Sequence, residues 1–225
     1  MRIGIVADTH SNIHALKVVL ETLDALGLDS TVCAGDIVGY GANPNECCRE
    51  IKRRVEYTIA GNHDCAALTR GIFALNPYAA AAALWTNDSL YESSSEFLSS
   101  LPITLRMDFE GKVASVFHGS DRDPNKYVHQ EEVDDDLLSR TSSDMVILGH
   151  THIPYAVRFG PGLVVNPGSV GQPRDGDARA SCAVVDTKPF SCDILRVEYD
   201  IEGASQSILK AGLPATLAFR LSIGR

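Results

Sequence analysis

Residues 2–27, RIGIVADTHSNIHALKVVLETLDALG, decide the fold class, because they combine a strand, a turn and a helix in succession. The run RIGIVA is short and apolar, as is typical of a buried strand. Apolar side chains then recur at helical spacing from Ile13 to Leu26, and Gly27 ends the helix. This βα unit predicts an α/β fold.

The same pattern recurs twice in the first half of the chain. STVCAGD is followed by a helical stretch near residues 45–54, and EYTIAGNHD is followed by an Ala-rich helix from about Pro77 to Tyr91. The second half changes to short β runs separated by Gly, Pro and Asp, namely KVASVFHG, MVILGH, YAVRF, LVVNPGS, CAVVD and CDILRVEYD. The order predicts a layered α/β sandwich.

Two segments are open to more than one interpretation. Residues 71–105 are predicted to be mostly helical, either as a small cap over one end of the sheets or as ordinary packing helices. After a short helix near Ala204 to Ala211, the tail is predicted to be extended because it contains a proline. No linker or internal repeat separates parts of the chain, so residues 1–225 are expected to form one domain.

Composition narrows the class of partner. The 225 residues are 44% hydrophobic and 22% charged, with a formal net charge of −9 and no long basic run. This argues against a general nucleic-acid groove, and an anionic substrate would need a bound cation. The N-terminus lacks a signal-peptide pattern and no apolar run approaches about 18 residues, which predicts a cytoplasmic protein without a membrane partner. The sequence does not indicate an oligomeric state.

The six cysteines show no C-x-x-C pair and no spacing typical of a thiolate zinc site. Reduced, mostly buried thiols are expected. A cross-strand bridge between Cys182 and Cys192 is an alternative.

Polar residues cluster after the predicted strands. Asp8 and His10 lie in ADTH, Asp36 in AGD, Asn62 and His63 in AGNHD, His118 in FHG, and His150 and His152 in GHTH. His150 and His152 are two residues apart, so on extended backbone both side chains would face one point, although the pair alone is equally compatible with core histidines. Because ligands bind beyond the carboxyl ends of strands in α/β sheets, the whole set is expected to converge.

Such a set predicts two metal ions. Seven of these eight side chains, with one carboxylate shared, would leave open positions on each ion for water and substrate. Asp36 is the candidate bridge, because a carboxylate can join two cations about 3.5–4 Å apart. Mixed carboxylate, imidazole and amide ligands favour Mn, Fe, Zn, Co or Ni, and the sequence does not choose among them.

In this order, D-x-H, G-D, G-N-H-D, H and G-H-T-H resemble the signature of the calcineurin-like metallophosphoesterases, particularly their small single-domain bacterial and archaeal phosphodiesterase branch. The resemblance implies a four-layer αββα fold, with two mixed sheets flanked by helices. It implies that one ion takes Asp8, His10, Asp36 and His152, and that the other takes Asp36, Asn62, His118 and His150. It also implies that His63 approaches the substrate phosphate and assists the leaving group, while a hydroxide bridging the ions attacks phosphorus in line.

The chain departs from one branch of this family. Protein serine/threonine phosphatases resemble GDxVDRG and carry an arginine before GNHE, whereas this chain has GDIVGYG and AGNHD, with Gly39, Tyr40 and Ala60 at those places. The aspartate that orients the catalytic histidine in those relatives is absent, and Asp64 is the one candidate to replace it.

The resemblance predicts a hydrolase of phosphodiesters or nucleotides. A phosphomonoesterase and a diadenosine polyphosphate hydrolase are the alternatives, and a catalytically silent protein-binding scaffold is the rival from another class. Tyr40 and Arg122 are candidate substrate-binding residues. The loop NPGSVGQPRDG, which includes Asn166, Ser169 and Arg174, could also meet phosphate or form a plain turn.

Overall fold

Parallel strand pairing at the centre of each sheet organises the protein. The computed structural model describes residues 1–73 and 75–225. The first sheet has the strand order β10-β9-β1-β2-β3, and the second has the order β4-β5-β6-β8-β7. The strands are β1 Arg2–Val6, β2 Ser30–Cys33, β3 Tyr57–Thr58, β4 Thr104–Phe109, β5 Lys112–Phe117, β6 Met145–Ile147, β7 Tyr155–Phe159, β8 Gly162–Asn166, β9 Ala180–Asp186 and β10 Ser191–Val197.

Both sheets are mixed. In the first sheet β1, β2 and β3 are parallel, while β9 and β10 join as antiparallel strands. In the second sheet β5, β6 and β8 are parallel, and β4 and β7 form antiparallel edges. The carboxyl ends of the parallel strands therefore lie on one side of each sheet, where the predicted site residues follow.

Eight α-helices flank the sheets in the part of the chain that is described. They are α1 Ile13–Ala25, α2 Pro44–Arg54, α3 Asn62–Thr69, α4 Pro77–Ser89, α5 Glu92–Ser100, α6 Asp135–Thr141, α7 Ile201–Lys210 and α8 Ala215–Ile223. The longest of them, α1 and α4, have 13 residues, whereas about 20 are needed to cross a bilayer. None of these helices is long and apolar enough to span a membrane.

The core is divided by the alternation of side chains along the strands. On β1, Ile3 and Ile5 face the space between the two sheets, where they pack with Phe109 and Ile147. Val6 faces the opposite side and packs with helix α1. A separate cluster on the outer face of the second sheet includes side chains of α6. The layers are therefore helix, sheet, sheet and helix, which confirms the predicted αββα architecture.

Helices α4 and α5 occupy the predicted helical stretch, within which residue 74 lies outside the described residues. They pack against α3 and α2 and so extend the helical layer at one end of the first sheet. The helical prediction was wrong at the end of this stretch, because β4 begins at Thr104 and pairs with β5.

The prediction of an extended tail was also wrong. The chain forms α8 directly after Pro214, whose carbonyl accepts a hydrogen bond from Leu217 N at 2.9 Å. A proline at the start of a helix loses nothing, because its missing N–H has no partner there in any helix. The proline therefore starts a helix instead of preventing one.

All six cysteines are free. Cys182 lies opposite Leu195 and Cys192 lies opposite Val185 in the β9–β10 ladder, so the two thiols are not cross-strand neighbours. The alternative of a bridge between them is wrong.

Candidate metal centre

All seven residues predicted as metal ligands follow strand ends, where the two sheets meet. Asp8 and His10 follow β1, Asp36 follows β2, Asn62 begins α3 after β3, His118 follows β5, and His150 and His152 follow β6. Asn62 is half-buried and the other six are buried.

The side chains form two neighbouring groups that could each hold a metal ion. The first group contains Asp8, His10 and His152, and the second contains Asp36, His118 and His150. Each group takes a carboxylate from the first sheet and at least one imidazole from the second. The packing of the two sheets therefore sets the geometry of both groups.

The backbone at these positions is mostly left-handed. Five of the seven residues, Asp8, His10, Asp36, His150 and His152, have φ between 47° and 67°. This conformation is costly for residues other than glycine and is concentrated at functional sites. His150 and His152 lie in this left-handed loop after β6 and not on extended backbone. The predicted backbone conformation was therefore wrong, although both side chains do lie in the same cluster.

Each buried carboxylate uses one oxygen for a backbone donor and leaves the other free. Asp8 Oδ2 accepts from His150 N at 2.9 Å, and Asp36 Oδ1 accepts from His63 N at 2.8 Å. Asp8 Oδ1 and Asp36 Oδ2 make no hydrogen bond within residues 1–73 and 75–225, although both are buried. An unpaired anionic oxygen in the interior is expensive unless a cation lies against it.

Backbone carbonyls fix the ring orientation of three imidazoles. The Nδ1 atoms of His10, His118 and His152 lie 3.1, 2.8 and 2.6 Å from the carbonyl oxygens of Val38, Ala34 and Gln172, respectively. A carbonyl only accepts, so each ring donates from Nδ1 and a neutral ring presents the lone pair of Nε2 to the cluster. Such outer hydrogen bonds are typical of metal-binding histidines.

The resulting lone pairs fit a cation in the first group. His10 Nε2 and His152 Nε2 are 3.0 Å apart, and they lie 3.7 and 3.3 Å from Asp8 Oδ1. Two acceptor nitrogens at this distance need a positive charge between them. Ligands about 2.0–2.1 Å from a tetrahedral ion lie about 3.3 Å from one another, which matches these spacings.

The second group fits a cation in the same way. His118 Nε2 lies 3.2 Å from Asp36 Oδ2 and 3.0 Å from Asn62 Oδ1, so three acceptor atoms again converge. The ring of His150 is reversed, because its Nε2 lies 3.1 Å from the Asn125 carbonyl, which leaves Nδ1 for the cluster.

The charges of the site depend on one another. Burial acts to raise the pKa of both carboxyl groups, but His152 beside Asp8 and His118 beside Asp36 outweigh it and hold each pKa well below its usual range. Burial acts to lower the pKa of His118, and Asp36 raises it overall to about 10. The carboxylates of Asp8 and Asp36 therefore stay ionised in the interior, where a bound cation would compensate their charge.

His63 lies against the cluster without joining either group. Its ring is 4.8 Å from that of His10 and 4.6 Å from that of Tyr40. Its Nδ1 is buried and has no hydrogen-bond partner among the described residues. A Cβ on Gly39 would lie 2.7 Å from that nitrogen, so a side chain there would displace the ring. Packing holds His63, and burial lowers its pKa to about 3.

Asp64 does not orient His63. Its Oδ1 accepts from Val38 N at 3.0 Å and its Oδ2 accepts from Gly61 N at 2.9 Å. It therefore ties the loop after β2 to the start of α3. Burial and the charge of Asp36 raise its pKa to about 6.

The candidate substrate-binding residues separate into two classes. Tyr40 is buried beside His10 and His63, and its hydroxyl accepts from Arg174 Nη2 at 3.2 Å. The side chain of Arg122 is 75% exposed, and its guanidinium lies 3.8 Å from Asp121. The structure thus brings Tyr40 and Arg174 to the cluster and leaves Arg122 outside these contacts.

The loop after β8 stabilises the loops that carry the site residues. Asn166 Nδ2 donates to Gly149 O at 2.7 Å and to Thr151 Oγ1 at 3.0 Å, and Ser169 Oγ donates to Asp8 O at 2.7 Å. These polar atoms are engaged with the loops that carry Asp8, His150 and His152. Of the residues that sequence analysis considered for phosphate contact in this loop, Arg174 is the one that reaches Tyr40.

Two neighbouring carboxylate–histidine groups at the strand ends of an αββα sandwich are the arrangement that a pair of metal ions requires. A family model for the calcineurin-like phosphoesterase superfamily domain matches residues 1–189. The chain therefore belongs to the calcineurin-like phosphoesterase superfamily and is a metal-dependent phosphoric ester hydrolase, which confirms the family that the motifs predicted.

Similar proteins extend over nearly the whole chain. An uncharacterised protein of Methanocaldococcus jannaschii is 37% identical, over 99% of this chain and 98% of that protein. The crystal structure of a metallophosphoesterase from Sphaerobacter thermophilus has a TM-score of 0.87 at 33% identity, covering 100% of this chain and 99% of that one. A hypothetical protein from Pyrococcus horikoshii shares the fold with a TM-score of 0.89 at 21% identity, covering 100% and 98%.

Proposed function

We propose that this protein hydrolyses phosphoesters with two divalent transition-metal ions. One ion would be held by Asp8, His10, Asp36 and His152, and the other by Asp36, Asn62, His118 and His150. The single observation that carries the proposal is the position of Asp36 Oδ2, an unpaired buried oxygen that lies 3.6 Å from His10 Nε2 and 3.2 Å from His118 Nε2. This oxygen is within reach of both groups.

The bridge would use one oxygen of Asp36, because the other is occupied. Asp36 Oδ1 accepts the hydrogen bond from His63 N at the first turn of α3. This bond fixes the rotation of the carboxylate and leaves Oδ2 to face both groups. Gly61 permits this arrangement because it has no side chain. A Cβ at that position would clash with Asp36 Oδ1.

When bound, two divalent ions supply a nucleophile from water and neutralise charge on the phosphate oxygens. His63 contributes the second part of the chemistry. Its ring is buried between His10 and Tyr40, next in sequence to Asn62. Because burial lowers the pKa of the ring to about 3, His63 would have to take up a proton as the anionic phosphate binds beside it. We assign to it contact with the substrate phosphate and delivery of a proton to the leaving oxygen.

Phosphodiesters or nucleotides are the preferred substrate class, and phosphomonoesters are the next. Support for this preference comes from the resemblance of the motifs to the small single-domain phosphodiesterase branch. Carboxylate, imidazole and amide ligands favour Mn, Fe, Zn, Co or Ni over Ca or Mg.

The test compares hydrolysis of bis(p-nitrophenyl) phosphate with that of p-nitrophenyl phosphate. Chelator-stripped protein is assayed with and without added Mn²⁺, Ni²⁺ or Zn²⁺, beside an Asp193→Asn control that alters an exposed carboxylate on β10. We expect metal-restored cleavage that favours the diester in both proteins. Preference for the monoester would overturn the phosphodiesterase proposal. Metal binding without any hydrolysis would favour the scaffold alternative.

A further inference from the structure

Two arginines approach the candidate centre from the C-terminal part of the chain. Arg174 lies in the loop between β8 and β9. Arg220 lies on α8, beyond the residues that the family model matches. Both side chains are half-buried. Arg174 was predicted as a substrate-binding residue, whereas Arg220 was not.

Helix α8 is fixed against the site on the face that carries Arg220. Leu217 and Leu221, three residues before and one after Arg220, pack in one cluster with Tyr40. At the end of the helix, Gly224 O accepts from Gly176 N at 2.9 Å. The helix is therefore attached to the same loop that holds Arg174.

Arg174 connects this region to the catalytic side of the site. Its Nη2 lies 3.2 Å from the Tyr40 hydroxyl and 3.2 Å from Gln172 Oε1. Its Nε is buried without a hydrogen-bond partner in the part of the chain that the structure describes. The Tyr40 ring in turn contacts His10 and His63. The guanidinium thus lies beside Tyr40, at the border of the first candidate metal group, since the Arg174 backbone N–H donates to His152 O at 3.3 Å.

The positive charges of the two arginines are not matched by the acidic residues nearby. Asp175 pairs with Arg196, and Asp177 pairs with Arg179 and lies near Arg196. Arg220 Nε donates to the Arg225 carbonyl oxygen at 2.6 Å, which leaves its two terminal nitrogens for another partner. Burial and the charge of Arg174 lower the pKa of Arg220. Two half-buried cations in a chain of net charge −9 indicate an anionic ligand.

We propose that Arg174 and Arg220 bind a second, non-scissile phosphoryl group of the substrate, beside Tyr40 at the border of the metal centre. The substrate class is then an organic phosphate with at least two linked phosphoryl groups, such as a nucleoside polyphosphate. Arginine suits this role because its planar fork binds phosphate oxygens in pairs. The inference rests on the proposed function and specifies its substrate.

The test measures binding of methylenebisphosphonate and of orthophosphate by isothermal titration calorimetry. Mn²⁺-loaded protein, freed of excess metal, is compared with Arg220→Gln, Arg174→Gln and a Lys210→Gln control, which removes one exposed positive charge from α7. We expect each arginine variant to raise the Kd for the bisphosphonate about tenfold, the loss of one charge-assisted contact. The Kd for orthophosphate should change less than twofold, and the control should match the wild type.

A bisphosphonate Kd unchanged in both folded arginine variants would overturn the second phosphoryl site. Equal weakening of both ligands would also overturn it, because it would place the arginines at the metal-bound phosphate. Circular dichroism identifies a misfolded variant, in which case the other arginine decides. Hydrolysis of bis(p-nitrophenyl) phosphate by the wild type tests the proposed function separately, since this diester has a single phosphoryl group.

Discussion

The two halves of the candidate metal centre, which are the two candidate metal-binding groups, differ in how far their side chains are exposed to solvent. Asp8, His10 and His152 are at most 2% exposed. In the other half His150 is 6% exposed, and its ring stacks at 4.1 Å on that of Tyr127, which is 45% exposed. The first group is therefore enclosed, and the second borders solvent.

The supports of the two halves differ in the same way. His10 and His152 are fixed by the carbonyls of Val38 and Gln172, two buried residues. His150 is fixed by the carbonyl of Asn125, in the exposed loop after β5. From this difference we expect that an ion in the first group would be held more tightly, and that an ion in the second group would exchange more readily with solvent.

The largest effect is expected from Asp36→Asn. Asp36 lies between the two halves, so its loss should weaken metal binding in both and remove the difference between them. An amide cannot supply the anionic oxygen that faces His10 and His118. Both ions should bind weakly, and kcat/KM should fall by ~10³-fold or more. Metal analysis by mass spectrometry and the diester assay check this, with Asp193→Asn as the matched control. Retention of two ions and of activity would refute the shared position of Asp36.

His63→Ala separates metal binding from turnover, because the His63 side chain contacts the enclosed half but belongs to neither candidate metal-binding group. Both ions should remain, and kcat should fall by ~10²-fold or more, the usual contribution of a general acid. Metal content and steady-state kinetics provide the two readouts. Unchanged turnover would remove His63 from the chemistry, and loss of metal would give it a structural role.

Metal removal should occur in two steps if the halves differ as described. The ion of the second group should leave at lower chelator concentration than that of the first. Each ion bound at 100 times its Kd adds about 2.7 kcal/mol of stability, so the melting temperature should also fall in two steps. A chelator titration followed by metal analysis and thermal melting measures this. Loss of both ions in one step would contradict the comparison.

Tyr127→Ala should produce the smallest effect, confined to the open half. Loss of an aromatic stack costs about 0.5–1.5 kcal/mol, which corresponds to ~2- to 13-fold weaker binding of the second ion. The first ion should be unaffected. Tyr91→Ala, which alters an exposed tyrosine between α4 and α5, is the control. A metal titration of both variants decides, and equal weakening of the two ions would mean that the stack does not act on His150 alone.

The sequence predicted which polar side chains lie together better than it predicted the elements at the border of the cluster. Asp8, Asp36 and His118 could be found because each directly follows an apolar strand, and strand ends of parallel sheets converge. The backbone carbonyls that orient the imidazoles had no sequence signal, since any residue supplies a carbonyl. The left-handed loop conformations depend on contacts between the sheets and were also not predictable from local pattern.

The errors have specific physical causes. Pro214 was interpreted as a helix breaker, whereas at a helix start it costs no hydrogen bond. Helix α8, which contains Arg220, was therefore not predicted. Thr104 and Leu105 were included in a helical stretch, although tertiary pairing with β5 makes them strand residues. Asp64 was considered a partner for His63 on sequence proximity, but the backbone N–H groups of Val38 and Gly61 occupy its carboxylate.

The measurement that tests the central claim most directly is electron paramagnetic resonance of the chelator-stripped protein titrated with Mn²⁺. Two ions that share Asp36 are expected to give an exchange-coupled spectrum as the second equivalent binds, and Asp36→Asn should not show it. A spectrum of isolated Mn²⁺ at saturation, or saturation at one ion per chain, would contradict a dinuclear centre.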